Sequence, residues 1–156
     1  MRLLRSNRGH KNGARATRTR LALLGVVGLA LVLAVPAVAS APRSGKFHVT
    51  KECSAYNGTA WSYCTIKSSN VSGLKAESTV LYASAAGASS LDSDVVIYSG
   101  QNTAAVGHVT LDLQTLTGRI TISGGTGQLR GFRAQADVSV DATGLWHWDG
   151  TYSFRR

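Results

Sequence analysis

A glycine-rich segment between two alternating stretches most restricts the folds open to this chain. Within residues 123–133 the sequence has four glycines: Gly124, Gly125, Gly127 and Gly131. Apolar residues occupy every second position before it, at Ile120 and Ile122, and after it, from Phe132 to Val140. Such alternation is typical of strands with one buried face, and glycine supplies backbone angles that tight turns require. The segment therefore predicts a strand–turn–strand corner in an antiparallel sheet.

A phosphate-binding interpretation of the same glycines does not fit their surroundings. The spacing is one residue too long for the dinucleotide fingerprint, and no Gly-Lys-Ser/Thr follows. Both phosphate motifs also need a helix directly after the loop, because the helix N-terminus holds the phosphate. A strand-like segment follows here instead, so the glycines are interpreted as structural.

The beginning of the chain has the pattern of an export signal. Seven basic residues and no acidic residue lie within positions 1–20, and the fifteen residues 21–35 are all apolar or glycine. Small residues then form an Ala-x-Ala site that ends at Ala39, which predicts cleavage between Ala39 and Ser40. The pattern predicts a signal helix within residues 1–39 and a secreted mature protein.

This leader also sets the predicted domain boundaries. A short linker is expected over residues 40–46 and one folded domain over residues 47–156. The alternative is an uncleaved leader that anchors the protein through residues 21–41. A membrane span needs about 20 apolar residues, and residues 36–41 extend the apolar run to that length at low polarity. In either case, the membrane is contacted only through the N-terminal segment.

Most of the positive charge belongs to the leader. The chain has 17 Lys and Arg against 8 Asp and Glu, and a leader with seven basic residues leaves ten basic and eight acidic residues for the rest. A basic leader before an apolar run orients membrane insertion. The remaining chain has no basic stripe, which argues against nucleic acid as a partner.

The two cysteines, Cys53 and Cys64, predict a disulfide. An even number of cysteines in an exported chain is typical of bridges. A bridge that closes a loop of about twelve residues contributes roughly 3 kcal/mol in the chain-entropy model. No further ligands lie near them at metal-binding spacing, so neither a metal nor a cofactor is predicted.

After the leader, the pattern predicts an all-β domain of eight strands and no helix. The strands are expected at residues 45–51, 61–67, 77–84, 94–99, 105–113, 117–123, 132–140 and 145–154. Val109 should face Ile120, which keeps both apolar faces on one side. Evenly spaced short strands indicate an antiparallel barrel or a sandwich, and pairing of the first strand with the last would distinguish them.

The glycine corner resembles that of allene oxide cyclase-like and dirigent-like barrels. The matching run is GGTGQLRGFRA at residues 124–134, and residues 107–112 and 148–154 resemble small secreted bacterial members of that superfamily. The resemblance covers roughly residues 47–154 and implies a calycin-like, eight-stranded barrel with an apolar cavity. In plant relatives this cavity cyclises a fatty-acid epoxide or directs phenoxy-radical coupling.

The resemblance does not assign a catalytic residue. Cyclisation in the family depends on a carboxylate inside the cavity, and neither Glu52 nor Glu77 aligns with that role. Asp112, Asp137 and Asp141 fall on polar strand faces and are expected to contact solvent. The resemblance therefore implies a fold rather than an activity.

The aromatic face of the last strand is the best candidate for a binding site. It combines Trp146, Trp148, Tyr152 and Phe154. These side chains either fill a tapering interior or line a pocket for a small lipophilic molecule. In the second case, the predicted ligand-binding residues are Trp146, Trp148, Tyr152 and Phe132.

The histidines carry no predicted site. His108 shares a polar face with Asp112, but the two residues would lie about 13 Å apart along a strand. His48 and His147 alternate with apolar neighbours and should point outward. No catalytic residue is predicted.

Three functions remain open at this stage. A secreted, non-enzymatic barrel that binds a small apolar molecule or an interaction partner is favoured by the absence of a catalytic cluster. An isomerase or cyclase with a lipophilic substrate needs a titratable group in its cavity, where the strand phases place mainly apolar residues. A cell-surface structural protein would be anchored by the leader or would associate through an exposed aromatic patch. No residue indicates whether the protein forms oligomers.

Overall fold

The computed structural model of the protein describes residues 43–155. The predicted signal helix, the cleavage site between Ala39 and Ser40 and the alternative anchor over residues 21–41 lie outside the described residues. No helix within residues 43–155 is long and apolar enough to cross a membrane.

Eight antiparallel strands follow one another in sequence order around a closed barrel. Their bounds are β1 Ser44–Glu52, β2 Tyr63–Ser69, β3 Thr79–Tyr82, β4 Ser90–Tyr98, β5 Ala104–Asp112, β6 Thr117–Gly125, β7 Phe132–Val140 and β8 Trp146–Phe154. The first strand pairs with the last, from Ser44 opposite Ser153 to Lys51 opposite Trp146. This pairing confirms the predicted barrel and excludes the sandwich.

Strand alternation decides which side chains fill the barrel. In β7, the residues from Phe132 to Val138 at even positions are buried, while those at odd positions are exposed. Val109 of β5 lies opposite Ile120 of β6, as predicted. The inward faces of all eight strands thereby build one hydrophobic core, because a closed barrel directs every second side chain inward.

The predicted bounds differ from the observed ones mainly in the first half of the domain. β4 begins at Ser90 rather than at residue 94, because its alternation continues through the buried Ser93. The Ser93 hydroxyl accepts from the Ser84 N–H at 3.0 Å and donates to the Asp94 carbonyl at 2.8 Å, so its burial leaves no polar atom unpaired. β1 begins at Ser44, inside the predicted linker over residues 40–46.

The glycine corner forms as predicted, with a short 3-10 turn, Gly127–Leu129, between β6 and β7. Gly127 and Gly131 have φ angles of 56° and 75°, a region that favours glycine. A Cβ on Gly131 would also collide with the backbone carbonyl of Arg155. Position 124 does not require glycine for steric reasons, since a Cβ there would lie 4.0 Å from the Val106 side chain.

The two ends of the barrel differ. At the end where β6 turns into β7, the interior is closed by Val71, Leu74 and Leu129, each no more than 3% exposed. Four rings pack inside this closed end with centroid separations between 5.2 and 6.1 Å: Phe47, Phe132, Tyr152 and Phe154. The opposite end carries the β1–β2, β3–β4, β5–β6 and β7–β8 connections, and we call it the loop end.

The predicted disulfide joins Cys53 to Cys64, with 4.2 Å between the Cα atoms. Cys53 directly follows β1 and Cys64 is the second residue of β2. The bridge therefore fastens the β1–β2 connection to the wall of the barrel at the loop end.

Candidate ligand-binding site

A cavity of about 250 Å³ lies inside the loop end of the barrel. Its apolar wall consists of Leu91, Val109, Leu111, Val138, Trp146 and Trp148, and its polar groups come from Lys51, Tyr56, Tyr82 and the disulfide. An apolar cavity of about 150 Å³ holds one benzene ring. This cavity therefore has room for a single aromatic ring with a short substituent.

The cavity meets solvent on one side. Cys53, Tyr56 and Trp146 are its partly exposed lining residues, whereas Trp148 is fully buried. The first two belong to the β1–β2 connection and Trp146 begins β8, the strand next to β1. A ligand would accordingly reach the cavity between this connection and the start of β8.

Lys51 directs its side chain into this apolar space. It is only 3% exposed, although lysine is almost never fully buried without a charged partner. Its Nζ donates to the sulfurs of Cys53 at 3.3 Å and Cys64 at 3.7 Å, which are weak acceptors. The ion pairs found within residues 43–155 do not include Lys51.

Three aromatic rings surround the Lys51 amine. Its Nζ lies 4.9 Å from the ring centroid of Trp146, 5.6 Å from that of Trp148 and 5.7 Å from that of Tyr82. Ring faces attract a cation, but each such contact is worth about 0.5–2 kcal/mol. This attraction compensates only part of the hydration that a buried ammonium loses.

Burial consequently lowers the pKa of Lys51 from 10.5 to about 7. The cause is desolvation, which disfavours the charged form and which no carboxylate among residues 43–155 offsets. The facing phenols do not act as counterions, because burial raises the pKa of both Tyr56 and Tyr82. Near neutral pH, the cavity therefore contains an amine that is in large part uncharged.

Two further polar atoms of the cavity wall lack a hydrogen-bond partner among the described residues. They are the Tyr56 hydroxyl and the Trp148 indole Nε1. A buried donor without a partner costs about 1–3 kcal/mol. A ligand that presents an oxygen to these donors would recover this free energy.

The structure divides the predicted ligand-binding residues between the two ends of the barrel. Trp146 and Trp148 line the cavity. Phe132 and Tyr152 belong to the ring cluster of the closed end. The aromatic face of β8 points into the barrel, so it is not the exposed patch through which one form of the cell-surface alternative would associate; anchorage by the leader lies outside the described residues.

The sequence pattern did not indicate the polar groups of the cavity, which are Lys51, Tyr56 and Tyr82. A signal for Lys51 was present, because it continues the inward alternation of Phe47 and Val49. The expectation that the strand phases place mainly apolar residues in the cavity describes its walls correctly. It overlooks the one amine that those walls enclose.

His48, His108 and His147 lie outside the barrel, as predicted, but each has an acidic partner on a neighbouring segment. His108 contacts Asp94 at 2.9 Å and Asp92 at 3.1 Å, both from β4. The hydrogen bond with Asp94, followed by the two nearby carboxylate charges, raises the pKa of His108. Spacing along one strand could not reveal these contacts, because they depend on the register between strands.

His48 and His147 follow the same rule. His48 pairs with Asp149 across β1 and β8, and His147 pairs with Asp141 at 2.8 Å. Within the part of the chain that the structure describes, His, Cys, Asp and Glu side chains form no group of three or more that could hold a metal ion.

The fold and the cavity together define a small closed β-barrel with a buried amine in an apolar pocket. Comparisons of the chain with protein-family models, with curated proteins and with solved structures find no match.

Proposed function

We propose that this protein is a secreted barrel that binds one small, mainly apolar molecule in the loop-end cavity. The observation that carries the proposal is the Lys51 amine, which is buried beside two donors and which, like them, finds no carboxylate or other oxygen partner within residues 43–155. A barrel that only needed filling would be more stable with an apolar side chain at this position. The ligand that suits these groups has a ring-sized apolar part and an oxygen that accepts hydrogen bonds.

Secretion is supported by two independent features. The leader has the order of a signal peptide, and the Cys53–Cys64 bridge is of the kind that persists in oxidising compartments. We propose cleavage between Ala39 and Ser40. The mass of the released protein tests this proposal, because retention by residues 21–41 would leave the full-length chain in the membrane fraction.

We also propose kinship with allene oxide cyclase-like and dirigent-like barrels. The closed eight-stranded barrel and its glycine corner support this kinship. The family's cyclase activity is not proposed with it, since no Asp or Glu within residues 43–155 lines the cavity. The titratable group at this position is an amine instead.

A second candidate function is an isomerase that uses Lys51 as a general base. The lowered pKa of Lys51 favours it, because a base works best when its pKa is near the working pH. Conversion of the bound compound into an isomer, lost in Lys51→Met, would identify this activity.

The binding proposal is tested on the oxidised protein, expressed with its own leader and recovered from the exported fraction. Native mass spectrometry and solvent extraction would reveal a bound compound. Titration with benzyl alcohol, followed by tryptophan fluorescence, would report on Trp146 and Trp148. We expect one equivalent to bind and the affinity to fall at least about tenfold in Trp148→Ala, the loss of roughly 1.4 kcal/mol.

Lys46→Met is a surface control for this experiment and the matched control for Lys51→Met. Lys46 lies on β1 like Lys51 but is exposed on the outer face, so its replacement should leave binding unchanged. Two results together would contradict the proposal: a native mass that equals that of the protein alone, and no binding of benzyl alcohol or of other small lipophiles. They would indicate a barrel whose interior is filled by its own side chains.

A further inference from the structure

We infer that Lys51 is an attachment site for aldehydes, which the cavity holds as an imine on the Lys51 Nζ. This inference rests on the proposed function and deepens it, because it names the chemical class of the ligand. It follows from the position of a primary amine inside a ring-sized apolar cavity.

The surroundings of Lys51 leave its nitrogen available for reaction. Among the residues that the structure describes, the amine contacts the two disulfide sulfurs and three aromatic rings. The titratable groups that face it are two phenols, Tyr56 from the β1–β2 connection and Tyr82 from β3, while β4, β5, β7 and β8 present apolar or indole side chains. None of these groups forms a salt bridge that would hold the amine as an ammonium ion.

The protonation state suits the same reaction. Desolvation lowers the pKa of Lys51 to about 7, so much of the amine carries a free lone pair at neutral pH. Buried lysines in hydrophobic pockets are activated as nucleophiles in this way. The neighbouring phenols stay neutral and do not reverse the effect.

The reaction is a condensation without any change in oxidation state. The Nζ lone pair attacks the aldehyde carbon, so that a C–N bond forms while the C=O π bond breaks, and one of the two Nζ protons moves to the oxygen to give a neutral carbinolamine. The C–O bond then breaks as the nitrogen lone pair forms a C=N bond, and the hydroxyl leaves as water with the second Nζ proton. An amine and an aldehyde thus become an imine and one water molecule.

The cavity wall supplies two groups suited to this sequence. The Tyr56 hydroxyl and the Trp148 indole N–H are buried donors without partners among residues 43–155. Such donors stabilise the negative charge that develops on a carbonyl oxygen under attack. The apolar walls limit access of bulk water, which disfavours hydrolysis of the imine.

The exposed lysines of the same domain lack these features. Lys46 lies on the outer face of β1, and Lys67 pairs with Glu77 at 3.1 Å. Neither lines the apolar cavity. An aromatic aldehyde should therefore discriminate between Lys51 and the lysines on the surface.

The test uses the oxidised full chain, one equivalent of benzaldehyde and sodium cyanoborohydride, which reduces an imine to a stable benzylamine. Intact mass and peptide mapping then locate the added benzyl group. We expect labelling at Lys51 to exceed that at any other lysine by about tenfold or more, because each unit by which a pKa falls toward the working pH raises the neutral fraction tenfold. The initial labelling rate should rise with pH through a midpoint near 7.

Variants and a second probe separate this inference from the proposed function. Lys51→Met should lose the label, whereas Lys46→Met should retain it; the peptide map of the unaltered protein decides the question even where Lys51→Met fails to fold. Label spread over surface lysines with Lys51 unmodified would overturn the inference. Binding of benzyl alcohol in that case would leave the proposed function intact, and absence of both would overturn the two together.

Discussion

Lys51 occupies surroundings that oppose its usual charged state. Desolvation by burial lowers its pKa to about 7, and no acidic side chain within residues 43–155 lines the cavity around it. The unfolded chain, where lysine has its ordinary pKa, therefore binds more protons than the folded chain between pH 7 and pH 10.5. Stability that depends on this side chain increases with pH across that range.

This linkage gives a prediction for Lys51→Met. The variant should be more stable than the unaltered protein below pH 7, by on the order of a few kcal/mol, because methionine carries no charge to desolvate. The difference should shrink as the pH rises from 7 toward 10. Urea unfolding at several pH values measures it, with Lys46→Met as the variant that should show no such trend.

The opposite result would also be informative. A Lys51→Met protein that is less stable at every pH would mean that the rings and sulfurs around the amine stabilise the ammonium more than burial destabilises it. The pKa of Lys51 would then stay near its ordinary value, and direct titration of the amine by nuclear magnetic resonance would show this.

The corner between β6 and β7 restricts the residues that its positions can accept more strictly than the other connections described above. It combines a left-handed Gly131 with a close approach to the Arg155 carbonyl. It also seats Leu129, which is fully buried and helps to close one end of the barrel. A change in this turn therefore affects core packing as well as local backbone conformation.

Gly131→Ala should destabilise the protein by about 1–3 kcal/mol, since a strained left-handed residue costs that much. Gly124→Ala provides the control, because the Gly124 Cβ position lies 4.0 Å from the nearest side chain and its φ is not in the left-handed region. Alanine there should change stability by less than about 1 kcal/mol. Equal losses in the two variants, measured by urea unfolding, would contradict this account of the corner.

These strands and turns show how far sequence reasoning extends. β7 was predicted with its observed bounds, because its alternation is unbroken from Phe132 to Val140. β4 was predicted too short, because the serine at position 93 interrupts the hydrophobic pattern. Ser93 can nevertheless face inward, since its hydroxyl forms hydrogen bonds with backbone groups of Ser84 and Asp94. Local pattern predicts a strand well only where each inward residue is visibly apolar.

The cavity was predicted in part, and the limit has a similar cause. Trp146 and Trp148 were found because aromatic residues alternate along β8. Lys51 was missed because a charged residue on an inward phase is normally interpreted as a strand end. Tyr56 had no periodic signal at all, since its position over the cavity depends on a connection held in place by the Cys53–Cys64 bridge.

That bridge joins the loop end of the barrel into one unit. It fastens the connection that carries Tyr56, and its sulfurs are the hydrogen-bond acceptors of the Lys51 amine. Both the stability of the protein and the shape of the cavity should therefore depend on the disulfide.

Replacing both cysteines by alanine should lower the free energy of unfolding by about 3 kcal/mol, because the bridge restricts the unfolded chain. The same variant should bind benzyl alcohol more weakly, since the β1–β2 connection is no longer fastened. Chemical denaturation and fluorescence titration measure the two effects. Unchanged binding in a destabilised variant would show that the bridge acts on stability alone.

The contact between β1 and β8 has a consequence for the order in which this protein is made. His48 and Asp149 face each other across that seam although 101 residues separate them. The barrel cannot close, and Lys51 cannot meet Trp146, until the last strand has been synthesised. Such non-local closure slows folding and leaves two strand edges open in every shorter nascent chain. Under the export that we propose from the leader, this delay would be an advantage, because the chain would stay competent for transport until its final residues have followed.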